Sequence, residues 1–263
     1  MNGSCRSSAS TALQEGRSSV LSRSGVTISG NNSATVGSLR AVELVNSARH
    51  IFHRSTDGNL SVRAGKEHII ATPTGISKGM MSVADMVVID SQGNQLYGTR
   101  KVSSEIGMHL TIYRMRPDVR AIVHAHPCTA TAFASAGIAL DQPLCSEAVL
   151  TLGAVPLAPY GTPGTPEVSE ALKPYIPGHE AILMANHGVV TYGSTTCEAY
   201  LRMEAVEHLA RIVAVAKQLG QEKYLDKDSV KKLLGARERY NSRCEVAPPE
   251  AKNVGPETVR FTA

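Results

Sequence analysis

From about residue 37 to about residue 242 the chain switches repeatedly between two apolar periods, one helical and one strand-like, with no linker-like break. That interleaving constrains the fold more than any other feature. Strands that alternate with amphipathic helices bury both sets of apolar faces when a sheet lies between two helical layers. The expected fold class is therefore α/β, a three-layer α/β/α sandwich. Helical spacing covers Leu39–Phe52 (Val42, Val45, Ala48, Ile51), a segment opened by Ser103-Ser104-Glu105 and running to Met115, Thr129–Ala136, and Thr195–Leu219. A further helix starts at Thr165-Pro166-Glu167 and runs to Tyr175, where Pro177 stops it. Strands are expected at Asn59–Val62, His68–Ala71, Met86–Ile89, Ala121–His126, Val155–Ala158, Ala181–Met184 and Val189–Tyr192. Strand order is not readable from these patterns.

Flanking this single block, residues 1–36 are rich in Ser, Gly, Asn and Thr and read as a disordered leader, and the stretch from about 243, with Pro248-Pro249, reads as a tail. A hydrophobic content of 42% is enough for a core. No run of about 18 apolar residues and no apolar h-region is present, so neither a membrane partner nor secretion is expected. Five cysteines without a C-x-x-C pair argue against a disulfide framework and favour a reducing cytoplasm. The net charge of +4 is scattered, and with no Trp and three Phe there is little to stack on bases, so no nucleic-acid role is expected. An anionic small molecule accounts for the mild basicity equally well.

The first residues with chemical potential are His124 and His126 in Val123-His124-Ala125-His126-Pro127. On a strand, residues i and i+2 face the same way, so the two imidazoles can share a metal ion. Pro127 then ends the strand, placing both at its C-terminal mouth, where open α/β sheets tend to bind ligands. The plain alternative is a pair of polar residues on an exposed strand face. The apolar Ala121-Ile122-Val123 that precedes them weighs against it, because unpaired buried imidazoles are costly. Next, Asn186-His187-Gly188 follows an apolar strand, with Gly188 permitting a sharp turn. Alone His187 reads as structural; as a third nitrogen donor it would complete three protein ligands plus an open position, the arrangement of catalytic zinc. Cys128 reads as a small buried residue at a helix start rather than a ligand. Ser103-Ser104-Glu105 reads in isolation as a helix cap with an acidic residue in the first turn, although a helix N-terminus also attracts anions. Asp57-Gly58-Asn59 and Thr72-Pro73-Thr74-Gly75 read first as loops. Glu204 and Glu207 read as a solvated helix face, Lys227–Lys232 as surface, and His109 as structural or solvent-facing.

Six segments in this order resemble the class II aldolase/adducin family: Asp57-Gly58-Asn59-Leu60-Ser61, Thr72-Pro73-Thr74-Gly75, Ser103-Ser104-Glu105, His124-Ala125-His126-Pro127, Ala158-Pro159-Tyr160 and Asn186-His187-Gly188. The resemblance implies that His124, His126 and His187 ligate Zn²⁺ (another divalent metal is the alternative), and that Glu105 is a displaceable fourth ligand and the acid–base group. It assigns Asn59, Thr74, Gly75, Ser103 and Ser104 to a substrate phosphate, and implies a homotetramer with sites between subunits. The implied reaction is aldehyde-lyase cleavage of a small phosphorylated ketose or sugar acid, in which a Lewis-acid metal stabilises an enediolate. Fuculose-phosphate-type aldolases carry a Tyr before the Ala-Pro-Tyr block. Here Leu144-Cys145-Ser146-Glu147-Ala148 has none, and Glu147 is the candidate substitute. Decarboxylation or dehydration of a similar substrate is thus the alternative chemistry, and a non-catalytic adducin-like scaffold the alternative from another class.

Overall fold

A computed structural model describes residues 56–241, so the leader, the Leu39–Phe52 helix and the tail lie outside the described residues. Eight strands form one mixed sheet: β1 (Asn59–Ala64), β2 (His68–Ala71), β3 (Val87–Asp90), β4 (Gln95–Tyr97), β5 (Ala121–Ala125), β6 (Leu157–Ala158), β7 (Ala181–Met184) and β8 (Gly188–Gly193). Their order is β4-β3-β2-β1-β5-β8-β7-β6. Every neighbouring pair is antiparallel except β6 with β7. The helices are α1 (Ile106–Met115), α2 (Cys128–Ser135), α3 (Ser146–Thr151), α4 (Pro166–Leu172), α5 (Thr196–Gln218) and α6 (Lys227–Asn241).

The three-layer expectation holds, and the strand period shows why. Ala121, Val123 and Ala125 of β5 join the core beneath α2 and α5, whereas Ile122 turns to the opposite core beneath α1 and α4. Leu183 and Ile182 of β7, and Val189 and Val190 of β8, split between the two cores in the same way. Residues such as Ile122, Ile182 and Val190 are fully buried, each stabilising the fold by about 1.5–3 kcal/mol relative to exposure. His124 has the parity of Ile122 and therefore sits on the α1 face.

Several local expectations are corrected. The strand β4 and the helix α3 went unread because each is short and weakly periodic. Lys227–Lys232 is surface as expected, its three lysines exposed, and it also opens the 15-residue helix α6. That helix is tied down by Arg237, which donates to Glu180 at 3.0 Å. The helix α4 ends at Leu172 rather than Tyr175, continuing only as turns. Glu204 is exposed, as expected of a solvated face, but Glu207 is not. Its carboxylate caps the N-terminus of α2, accepting from Ala130 N at 2.9 Å and Thr129 Oγ1 at 2.8 Å, so a residue of α5 supplies the anion that the α2 dipole favours. Among the described residues no helix is long and apolar enough to cross a membrane.

Candidate metal centre

The antiparallel order changes how the site is assembled. In a parallel sheet, C-terminal strand ends would gather along one edge. Here the ends of β5 and β7 meet the starts of β1 and β8. Asn59 at the start of β1 pairs with His124 on β5, His124 pairs with Val190, and Met184 pairs with Gly188. Four strand ends thereby bring His124, His126 and His187 to one point, with their donor atoms all within 4.8 Å of one another. The ring centroids are nearly equidistant, at 4.8, 4.8 and 5.1 Å.

The turn between β7 and β8 departs from expectation. His187 N donates to Met184 O at 3.1 Å, and the left-handed residue is Asn186, at φ 55°, not Gly188. Gly188 is needed for a different reason. A Cβ there would lie 2.5 Å from His126 Cδ2 and 2.7 Å from Ala125 O, so only glycine lets β8 pass this close to the imidazoles.

His124 Nδ1 donates to Val189 O at 2.9 Å, which leaves the Nε2 lone pair bare and pointing at the cluster. His126 Nε2 lies 3.1 Å from that atom. Glu105 completes the group, with Oε2 3.3 Å from His124 Nε2 and Oε1 3.1 Å from His187 Nε2. Nevertheless Glu105 Oε1 and His187 Nδ1 are buried without a hydrogen bond. Ligand atoms about 2.0–2.1 Å from a tetrahedral zinc would be about 3.3 Å apart, close to the His124–His126 separation and to the two contacts of Glu105. Buried lone pairs that crowd without hydrogen-bond alignment fit a divalent cation held by three imidazoles and a carboxylate. Burial works to raise the Glu105 carboxyl, but the adjoining His124 and His187 outweigh it and hold it well below the usual carboxylate range. Burial, followed by the charges of His124 and His187, pushes the His126 ring down to about 4, so it stands ready as a neutral ligand.

The loop expected to hold phosphate lies along the approach to α1. Thr74 N donates to Lys101 O at 3.0 Å and Ser103 N to Thr72 O at 3.2 Å, which lays Thr72–Gly75 antiparallel to residues 101–103. Thr74, Gly75 and Ser104 are exposed there, while Ser103 is buried and accepts from Glu105 N at 3.3 Å. The cap position of α1 is held by Glu105 and not by serine, and its side chain turns to the histidines rather than to the helix. Asn59 stands apart from the other four: it is 3% exposed and its Nδ2 donates to Glu105 Oε2 at 2.8 Å. Cys128 is exposed at the start of α2 instead of buried. Glu147 is exposed on α3, whose Val149 and Leu150 are the buried residues.

Near Glu105, Lys78 went unread, and His109, read as structural or solvent-facing, lies buried. Lys78 is 2% exposed and its Nζ donates to Thr56 O. Burial lowers its pKa, and the charges of Asp57 and Glu105 act against that shift. His109 lies against Asn59 inside the α1 core. Its spacing from Glu105, one helical turn on, was the available signal.

With this geometry in place, comparison with known proteins is informative. The family model for the Class II Aldolase and Adducin N-terminal domain matches residues 42–214. The chain belongs to this family. Class II aldolase relatives include a 3-oxo-tetronate 4-phosphate decarboxylase from Haemophilus influenzae, 38% identical over 59% of this chain and 75% of that protein. An L-fuculose phosphate aldolase from Methanococcus maripaludis is 36% identical over 59% of this chain and 83% of its own length. The crystal structure of YgbL from Klebsiella pneumoniae superposes with a TM-score of 0.71 at 31% identity, covering 75% of this chain and 99% of that one. As a class II aldolase family member, the chain is a metal-dependent lyase.

Proposed function

We propose that the chain is a zinc-dependent aldehyde-lyase that cleaves a small phosphorylated ketose or related sugar acid. The observation that carries this reading is the convergence of His124, His126, His187 and Glu105 with two buried polar atoms left unpaired. When bound there, a divalent metal supplies Lewis-acid stabilisation of negative charge developing beside a carbonyl. The three imidazoles would hold it, and an all-imidazole set suits zinc among the common divalent ions.

The chain's own residues do the rest. Exposed Thr74, Gly75 and Ser104, beside the start of α1, would bind the substrate phosphate through hydroxyl and backbone donors and align the bond to be broken. Ser103 is buried behind them and orients the Glu105 backbone. In cleavage a hydroxyl loses its proton as the carbon–carbon bond opens to an aldehyde. The electron pair stays on the carbon beside the other carbonyl, and that carbon then gains a proton. Glu105 Oε1, lacking a hydrogen bond of its own, is placed to carry this proton. Asn59 serves the carboxylate rather than the phosphate. A homotetramer with sites between subunits and a cytoplasmic location complete the reading.

A second reading is decarboxylation of a phosphorylated sugar acid, in which carbon dioxide leaves and the same enolate takes up the proton. It is favoured by the absence of tyrosine from Leu144–Ala148 and by the 38% identical decarboxylase relative. Elemental analysis of the purified protein, paired with assays of ketose phosphates and 3-oxo sugar-acid phosphates, tests both. About one zinc per chain with aldehyde release supports the aldolase. Zinc with carbon dioxide release moves the assignment to the decarboxylase, and absence of metal after chelator-free purification leaves the scaffold.

A further inference from the structure

Behind Glu105 a line of buried polar groups runs into the α1 core, and its donors and acceptors can be assigned by elimination. An ionised carboxylate only accepts, so Asn59 must face Glu105 Oε2 with its amide nitrogen, at 2.8 Å. Asn59 Oδ1 is then turned to His109 Nε2, 2.5 Å away, which must therefore carry a hydrogen. In a neutral imidazole the other nitrogen accepts, so Ser61 Oγ donates to His109 Nδ1 at 2.7 Å. Ser61 Oγ has spent its proton, and of the two acceptors beside the Tyr113 hydroxyl, Ser61 Oγ at 2.9 Å is nearer than Arg120 O at 3.5 Å, so Tyr113 OH donates to Ser61. Asn59, Ser61, His109 and Tyr113 are each 3% exposed or less. Burial, with the charge on His124 next, pushes the His109 ring down to about 3, in keeping with a neutral ring.

We propose that His109 is a positioning residue for Glu105: its Nε2–H fixes the Asn59 amide so that one carboxylate oxygen is held and the other left free for the proton. Four successive donors, from Tyr113 through Ser61 and His109 to Asn59, all point toward Glu105. Hydrogen bonds in such a line polarise one another. The carboxylate and the His109 donor select the same amide orientation; without His109, Asn59 Oδ1 loses its partner and the amide is held from the carboxylate side alone. The line ends on Oε2 only; Oε1 has no hydrogen bond. The inference rests on the reading of Glu105 as the acid–base group.

Two measurements test it. In uniformly ¹⁵N-histidine-labelled protein as purified, NMR should find His109 as the Nε2–H tautomer, opposite to His124, whose Nδ1 carries the hydrogen. The Nδ1–H tautomer at His109 would overturn the assignment without any variant being made. The second compares His109→Leu, which has neither donor nor acceptor, with His109→Gln, which offers one of each. The leucine variant should keep its metal stoichiometry and KM, while kcat falls about 10–100-fold, as is typical when a group supporting a metal-site ligand is lost. The glutamine variant should recover most of that loss. Unchanged kcat in His109→Leu, or equal loss of metal and activity in both variants, would refute the positioning role. If the wild-type protein releases neither aldehyde nor carbon dioxide, the lyase reading falls, and the tautomer still decides whether the donor line exists.

Discussion

The two ends of β8 place polar groups in the interior in opposite ways. At its start Gly188 passes against His126 and His124; at its end Gly193 passes against Glu198 and Arg202. A Cβ at Gly188 would run into backbone, whereas one at Gly193 would meet only the ends of two long side chains. At the Gly193 end every charge finds a partner. Arg202 donates to Tyr192 O at 2.5 Å and meets Glu180 at 2.7 Å and Glu198 at 2.6 Å, while Ser194 N donates to Glu198 at 2.7 Å. At the Gly188 end the imidazoles and Glu105 crowd together with Oε1 and His187 Nδ1 left over. The other buried unpaired atoms among the described residues, Ser77 Oγ, Thr131 Oγ1 and Thr196 Oγ1, are hydroxyls of separate residues; only at the Gly188 end do an unpaired carboxylate oxygen and ring nitrogen lie within one cluster, which marks where a ligand belongs.

The comparison can be broken most decisively at the unsaturated end. His126→Ala should lose the bound metal, seen by elemental analysis, and lower turnover at least about 10³-fold, since three donors define a catalytic metal site. Its folding stability without metal should move little, because no saturated interaction is removed. Arg202→Met is the mirror experiment. It should keep metal and turnover but lower the urea unfolding free energy by about 2–4 kcal/mol, because Glu180 and Glu198 lose their shared cation. Loss of metal in Arg202→Met would show that the two ends are not independent.

The next effect is that of pH. The His109 ring has a folded pKa of about 3, below its ordinary unfolded value of about 6.5. The unfolded chain therefore binds the proton first as pH falls. Stability from this group is complete above about pH 6.5 and is lost toward pH 3, at up to about 1.4 kcal/mol per pH unit for one proton. Urea unfolding of metal-free protein between pH 7 and 5 should show this slope on top of that of His126, whose ring is pushed down to about 4, and His109→Gln should remove the His109 share. The smallest effect separates the glycines. Gly188→Ala must push on backbone oxygen Ala125 O and should cost about 1–3 kcal/mol and weaken metal binding. Gly193→Ala meets only the far ends of Glu198 and Arg202 and should cost less in the same unfolding assay.

Most of the central elements were legible because their information is local. Period, caps and Pro positions reveal β5, α5 and the start of α4, where Thr165 accepts from Glu167 N as its place before Pro166 implies. The i, i+2 rule put His124 and His126 on one face without any knowledge of the sheet. Strand order carries no such local mark. The C-terminal mouth of β5 proved to be a junction of four antiparallel strand ends, and the same pairing put Asn59 opposite His124. From that position the Asn59 amide reaches Glu105, and His109 stands behind it, 50 residues away in sequence. Hydrogen-bond partners at that separation depend on packing, and no periodicity encodes them. The sequence by itself therefore determined which residue types could carry the chemistry and on which face of each element they lie. Only the tertiary structure decided which of them meet and which of their atoms remain unpaired, because burial and satisfaction are properties of the assembled interior.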